Sequence, residues 1–189
     1  MAIHSREALE RMGFATVGNN VQVSTLASLH GVSRIALGDN ARIDDFCVLS
    51  AGLGGITIGA HVHIAVFCCL LGAGRITLHD YSNLSSRVSI YSSNDDYSGR
   101  AMTNPTIPAE FTNVEQAEVN VSRHVVIGSG SVILPGVTLA EGVAVGALSL
   151  VKHSCEAFGI YAGQPARRVG TRSRQLLEVE QRFLSSRRA

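Results

Sequence analysis

The chain has almost no net charge: sixteen Lys and Arg against fifteen Asp and Glu leave +1 over 189 residues. Binding to a phosphate backbone needs a basic face, so this balance argues against a nucleic-acid partner. Long apolar runs are missing too. The longest, 64–73, is too short to span a bilayer, and the opening "MAIHSREALERMG" has no apolar segment of the kind a secretion signal needs. A cytoplasmic protein with no membrane insertion is the expectation. Zinc-type cysteine spacing is also absent, since Cys68 and Cys69 are adjacent while Cys47 and Cys155 lie far off. Reduced thiols are the default in that compartment. What remains is 46% hydrophobic content, enough for one domain with a sizeable core.

That apolar content is ordered at a period of six. In "VSRHVVIGSGSVILPGVTLAEGVAVGALSLV" (121–151), an aliphatic side chain opens each hexapeptide at Val121, Ile127, Ile133, Leu139, Val145 and Val151. Compact residues follow four places on, at Val125, Ser131, Val137, Val143, Ser149 and Cys155. Neither a helical period near 3.6 nor strict alternation fits, so the pattern predicts a solenoid whose rungs bury their aliphatic face only against each other. The same frame, with two or three extra residues between triplets, opens at Val17, Val23, Leu29; Leu37, Ile43, Leu49; Ile58, Ile64, Leu70; and Leu78, Leu84, Ile90. Three rungs make one triangular coil. The extra residues carry a shared signature in "RIALGD", "GITIGA" and "RITLHD" and should extend the same edge each time. Cys47, Cys68 and Cys155 fall at compact inward places and read as core residues, while Cys69 should point outward.

The frame breaks once, at 91–118, which holds two of the four prolines. A connection this long inside a compact domain is usually functional or disordered. Its apolar residues Tyr91, Tyr97, Met102, Ile107, Pro108 and Phe111 favour an ordered arm packed on something, such as a neighbouring subunit. The expected organisation is an N-terminal cap (1–16) with a short helix ended by Gly13, a solenoid (17–169) with the inserted arm, and a C-terminal helix (170–189). Thr171 or Ser173 would cap that helix, Leu176, Leu177, Phe183 and Leu184 would form its buried stripe, and Arg187 and Arg188 suit its C-terminal dipole. It should cover an open end or edge of the solenoid.

"IGSGSVILPGV", "GVAVGALSLV" and "YAGQPARRV" together resemble the hexapeptide-repeat acyltransferases, in particular the galactoside, maltose and O-antigen sugar O-acetyltransferases. The resemblance implies an all-β, left-handed parallel β-helix, a homotrimer, active sites between subunits, and acetyl-CoA as co-substrate. It also implies that pantetheine runs along backbone groups at Ser129 and Ala147, by main-chain hydrogen bonding. Near the C-terminal end the family's "VTKD" is replaced by Val151, Lys152, His153 and Ser154. There Lys152 or His153, with Arg167 and Arg168, would neutralise phosphate.

Acetyl transfer to a hydroxyl calls for a general base. The family's histidine at the start of the arm is replaced by the run Ser93, Asn94, Asp95, and Ala65 and Ala73 stand where galactoside enzymes hold their acceptor with amide and carboxylate groups. Three candidates remain. Asp95 takes the missing histidine's position, with Asp96 beside it, although "SNDDYSG" reads equally as a turn. His63 points outward from a flat face, in a column with Asn83 and Val126 and near Ser85. His124 sits at a coil corner just after the arm. Asn83, Ser85, Asp96 and Tyr97 are the acceptor-side set. The expected activity is acetyl transfer from acetyl-CoA to a sugar hydroxyl of a surface-polysaccharide precursor. N-acetylation of a nucleotide-linked amino sugar is the alternative, because an amine relaxes the need for a strong base. A gamma-type carbonic anhydrase drawing on His61, His63, His79 and His124, or a catalytically silent scaffold, is the alternative of another class. No metal ligand set is assigned.

Overall fold

The computed structural model describes residues 1–187; Arg188 lies outside them. Helix α1 (Arg6–Met12) is capped by the Ser5 hydroxyl, which accepts from the Ala8 amide, and ends at Gly13 in the left-handed region, φ 76°. It seats Leu9 against the first coil, and Leu9 is fully buried.

Short strands of two to four residues then stack coil upon coil into three parallel sheets. The first and third sheets hold six strands each, and the second holds eight. Register keeps like positions together: Ile35, Ile56, Ile76 and Val119 stack in the first sheet, and Ile43, Ile64, Leu84, Ile127 and Val145 in the second. Sixteen of the eighteen opening aliphatics are buried, and the other two, Val17 and Leu29 on the first coil, still pack on the core. Each buried aliphatic contributes about 1.5–3 kcal/mol, and a coil gains that only from the coils above and below it. Cys47, Cys68 and Cys155 lie inside as expected, and Cys69 is half-buried. Burial lifts the Cys155 thiol to about 11, and in Cys68 the Cys47 contact and burial together raise it. These thiols pack as small hydrophobes.

Two of the three corners turn through a residue in the left-handed region. Asn20, Asn40, His61, Tyr81, His124 and Phe158 occupy one edge, and Phe46, Phe67, Arg87 and Leu148 the next, all with φ between 53° and 62°. Non-glycine residues pay about 1–2 kcal/mol for this conformation. Stacking across the coils offsets it: His61 lies on Tyr81 at 5.3 Å, Tyr81 on His124 at 5.1 Å, and Phe46 on Phe67 at 5.1 Å. Gly142 takes a turn of the first edge because a Cβ there would sit 2.5 Å from the Phe158 ring. The shared signatures themselves form the first-sheet strands Ile35–Leu37, Ile56–Ile58 and Ile76–Leu78, and the connections just before them make the third corner.

The arm leaves after the strand Ser89–Tyr91. Its base is an antiparallel ribbon, Ser93–Asn94 against Glu115–Gln116, anchored by the Ser92 hydroxyl donating to the Gly74 carbonyl at 2.7 Å. After the last coil, strands Gly159–Gly163 and Ala166–Thr171 form a hairpin. Helix α2 (Gln175–Ser186) then returns along the corner formed by His61, Tyr81 and His124, rather than over an open end. Neither Thr171 nor Ser173 is its N-cap, which is Arg174; the Ser173 hydroxyl instead accepts from the Gln175 amide at 3.2 Å.

Candidate active site

The outer face of the second sheet carries the polar residues. One column runs Arg42, His63, Asn83, Val126, Ala144, so the column that the six-residue frame gives for His63, Asn83 and Val126 is the observed register. Two residues along each strand, on the same face, come Asp44, Ala65, Ser85, Gly128 and Gly146. The face therefore grades from charged and polar on early coils to bare backbone on late ones.

His63 is engaged at both ring nitrogens: Nε2 lies 2.9 Å from Asp44 Oδ2, and Nδ1 lies 3.0 Å from the head of the Asn83 side-chain amide. Arg42 Nε donates to Asp44 Oδ1 at 2.7 Å. Asp44 is only 8% exposed. Burial alone would raise its carboxyl, but the hydrogen bonds and charges of His63 and Arg42 outweigh it and hold it below the usual carboxylate range. With no free ring nitrogen, His63 is not poised as the general base the sequence suggests. Asp44 escaped that reading, although it stands at the outward place one coil below His63 and could have been found by asking which carboxylate the register brings there.

On the arm the adjacent aspartates part company. Asp96 is spent on folding: Oδ1 accepts from the Ser98 amide at 2.8 Å, and Oδ2 from the amides of Arg100 at 3.0 Å and Ala101 at 2.9 Å. These bonds, led by that from Ser98, hold its carboxyl below its ordinary value. Its expected acceptor-binding role gives way to this local one. Asp95 is exposed and unpartnered among the described residues. Tyr97, 87% exposed, touches nothing that would bury it within the protomer.

His124 is not a solvent-facing corner residue. Helix α2 covers it, and its Nε2 lies 2.9 Å from Glu180 Oε2, while Arg123 pairs with the other carboxylate oxygen. Arg172 reinforces the junction by donating to the carbonyls of His124 at 2.7 Å and Gly142 at 3.2 Å. A cleft of about 290 Å³ remains between Leu176, Val179 and Phe183 of α2 and the ring edges of the corner. Glu180 itself is 7% exposed. It was invisible as a functional residue in sequence, being one acid within an aliphatic stripe. His124 thus serves helix docking, which corrects its candidacy as a base. The histidines weighed for zinc are dispersed in the same way: His79 bonds Asn120 at 2.9 Å, and His61 is separated from His124 by Tyr81. Among the described residues, no three His, Cys, Asp or Glu side chains gather to hold a metal ion.

The late coils offer bare backbone. Ser129 and Ala147 are exposed. The Ser129 carbonyl accepts from the Leu148 amide at 2.8 Å, while the amides of Ser129 and Ala147 have no partner among the described residues. A Cβ on Gly128 would approach the Ala147 nitrogen to 2.5 Å, so the wall stays flat there only because Gly128 has none. The hairpin turn is tied to this wall by Gln164 Nε2 donating to the Leu148 carbonyl at 2.7 Å. Lys152, His153 and Arg167 are exposed at the same end. Arg168 is engaged by Glu156 at 2.8 Å and Thr171 at 3.3 Å, which leaves it less available to a phosphate.

No family profile matches the chain. Among curated proteins it is 52% identical over 186 residues to a dTDP-4-amino-4,6-dideoxy-D-glucose acyltransferase of Escherichia coli, covering 98% of this chain and 97% of the relative. The chain belongs to the hexapeptide-repeat acyltransferases. Among solved structures, this acyltransferase superposes on AntD, an N-acyltransferase from Bacillus cereus in complex with dTDP and 3-hydroxybutyryl-CoA, with a TM-score of 0.96 and 43% identity over the whole of both chains. A serine variant of AntD was solved with dTDP-4-amino-4,6-dideoxyglucose and coenzyme A; it gives a TM-score of 0.94 at 43% identity over 98% of both chains. A maltose O-acetyltransferase from Clostridium difficile shares the fold at 21% identity and a TM-score of 0.58, covering 88% of this acyltransferase and 74% of that chain.

These relatives overturn the expectation of acetyl transfer to a sugar hydroxyl. The full-length likeness is to acyltransferases of a dTDP-linked amino sugar, and the likeness to a sugar O-acetyltransferase extends to fold alone. The donor is also broader than acetyl-CoA among the relatives, since AntD holds 3-hydroxybutyryl-CoA. No described helix is long and apolar enough to cross a membrane.

Proposed function

We propose that this acyltransferase moves an acyl group from an acyl-CoA thioester to the amino nitrogen of dTDP-4-amino-4,6-dideoxyglucose. The observation that carries the reading is the 52% identity, over nearly the whole of both chains, to an enzyme named for that acceptor. The amine lone pair attacks the thioester carbonyl carbon, the C–N bond forms, the C–S bond breaks, and coenzyme A leaves as the thiolate. One proton must leave the nitrogen. Asp95, exposed and uncommitted on the arm, is the group we assign to receive it, and an amine needs less help than a hydroxyl would. Asn83 and Ser85 line the acceptor side, and Tyr97 covers it from the arm. Pantetheine pairs with the free amides at Ser129 and Ala147. Lys152, His153 and Arg167 meet the phosphates, with Arg168 a lesser contributor because of Glu156.

A homotrimer completes this site. Leu26, Phe46 and Phe67 form an apolar stripe along one corner, 53%, 50% and 51% exposed, and the arm exposes Tyr97, Met102 and Phe111. Contiguous apolar surface of this kind marks an interaction site. A neighbouring copy on that corner would carry the arm's Asp95 and Tyr97 to a second protomer's groove.

The test is direct. Purified protein is incubated with dTDP-4-amino-4,6-dideoxyglucose and either acetyl-CoA or 3-hydroxybutyryl-CoA, following free thiol release and product mass. An amide that survives mild alkali is the expected product, and the faster donor names the acyl group. Acylation confined to an alkali-labile ester, or no turnover with either donor, would sink the reading.

A further inference from the structure

The network Arg42–Asp44–His63–Asn83 crosses three coils of the second sheet and is not explained by core packing, since every member faces outward. Its logic runs in one direction. An ionised carboxylate only accepts, so His63 Nε2 must carry hydrogen toward Asp44. That fixes the imidazole plane and leaves Nδ1, which carries no hydrogen in the neutral ring, as an acceptor aimed at the Asn83 side-chain amide 3.0 Å away. An acceptor nitrogen is met by an N–H, so the Asn83 NH2 is the group that faces His63, and the Asn83 carbonyl oxygen is turned away and left free to accept. Arg42 adds the second bond that keeps the carboxylate in place.

We propose that Asp44 and His63 are positioning residues that orient the Asn83 amide so that its oxygen accepts from a hydroxyl of the sugar nucleotide. The inference rests on the acceptor reading above and deepens it by naming what fixes the acceptor's polar contact. Asn83 alone touches substrate; Asp44 and His63 act through it. Such support matters because an amide side chain has two nearly isosteric orientations, one turning a donor outward and one an acceptor, and only the second can accept from a hydroxyl. The nearest charged groups facing His63 are Asp44 and Arg42 on the strand below; the strand above contributes the uncharged Asn83.

The experiment is a mutant cycle read in steady-state kinetics with the full-length enzyme. Asp44→Ala, His63→Leu and Asn83→Ala should each raise KM for the amino-sugar nucleotide about tenfold, the worth of one hydrogen bond to a polar ligand, with KM for acyl-CoA changed less than about twofold. Combining any two should add little further, because all three remove the same contact. Should Asp44→Ala fail to fold, His63→Leu with Asn83→Ala still closes a cycle on half-buried positions outside the core. Losses that add, or an unchanged acceptor KM in the singles, would overturn the inference while leaving amide formation by the unsubstituted enzyme intact. Absence of any amide from the unsubstituted enzyme would instead remove the acceptor reading, and this inference with it.

Discussion

Asp95 and Asp96 are neighbours of the same chemistry, yet three backbone amides claim one and none claims the other. That difference decides which can handle a proton. Asp95→Asn should lower kcat by about two to four powers of ten if its carboxylate takes the amine's proton, with coenzyme binding measured calorimetrically left unchanged. A near-normal kcat would hand that proton to the departing thiolate. The pair also marks how far side-chain roles can be read from sequence. That carboxylates stand at the start of the arm was legible, because the rung frame fixes where the arm leaves the solenoid. Which of the two is free was not, since Asx-type bonding depends on a loop conformation that no periodicity encodes. His63 was legible as outward and near Asn83 for the same reason of register. Its partner Asp44 was not, because the six-residue frame tracks the inward positions and is silent about outward pairs one coil apart.

Helix α2 holds to the solenoid through a carboxylate as well as through its aliphatic stripe. Helical spacing suggested Leu176, Leu177, Phe183 and Leu184 as its buried stripe, but the three leucines are only half-buried and Phe183 is 40% exposed. Glu180 on that same face was not suggested, because its burial makes sense only beside Arg123 and His124, which the arm separates in sequence from the other corner residues. Glu180→Ala should cost about 1.5–3 kcal/mol, the range for hydrogen bonds to charged groups, with Arg123 partly exposed and so able to recover water. A lowered thermal midpoint, with earlier proteolytic loss of the C-terminal segment, is the expected outcome. An unchanged midpoint would mean that Phe183 against His61 and Tyr81 suffices to dock the helix. The helix lies on a corner remote in sheet position from Ser129 and Ala147, so coenzyme affinity should be spared.

At the scale of the molecule, the exposed Phe46 and Phe67 pair bears on assembly. Replacing both with Ser should shift the proposed trimer to smaller species in sedimentation velocity, and turnover should fall with the trimer fraction, because in that proposal the arm would lose the groove it serves. A trimer that persists would place the subunit contact elsewhere. The solenoid itself was readable almost rung by rung: eighteen aliphatic positions set the strand order and register before any coordinate was known. The one region that sequence left open was the arm, whose conformation answers to local capping and to surfaces outside the protomer.

The unvarying register of the coils makes the protein a ruler. Each coil advances the backbone by about 4.8 Å, the spacing of neighbouring strands, so the axial distance from Asn83 to Ala144 is fixed as two steps by the pairings through Val126. In the function proposed above, acceptor and coenzyme are thus separated by a count of coils rather than by any hinge or loop. Inserting one whole coil between them would leave every side chain of the site in place and still part the amine from the thioester by that single step.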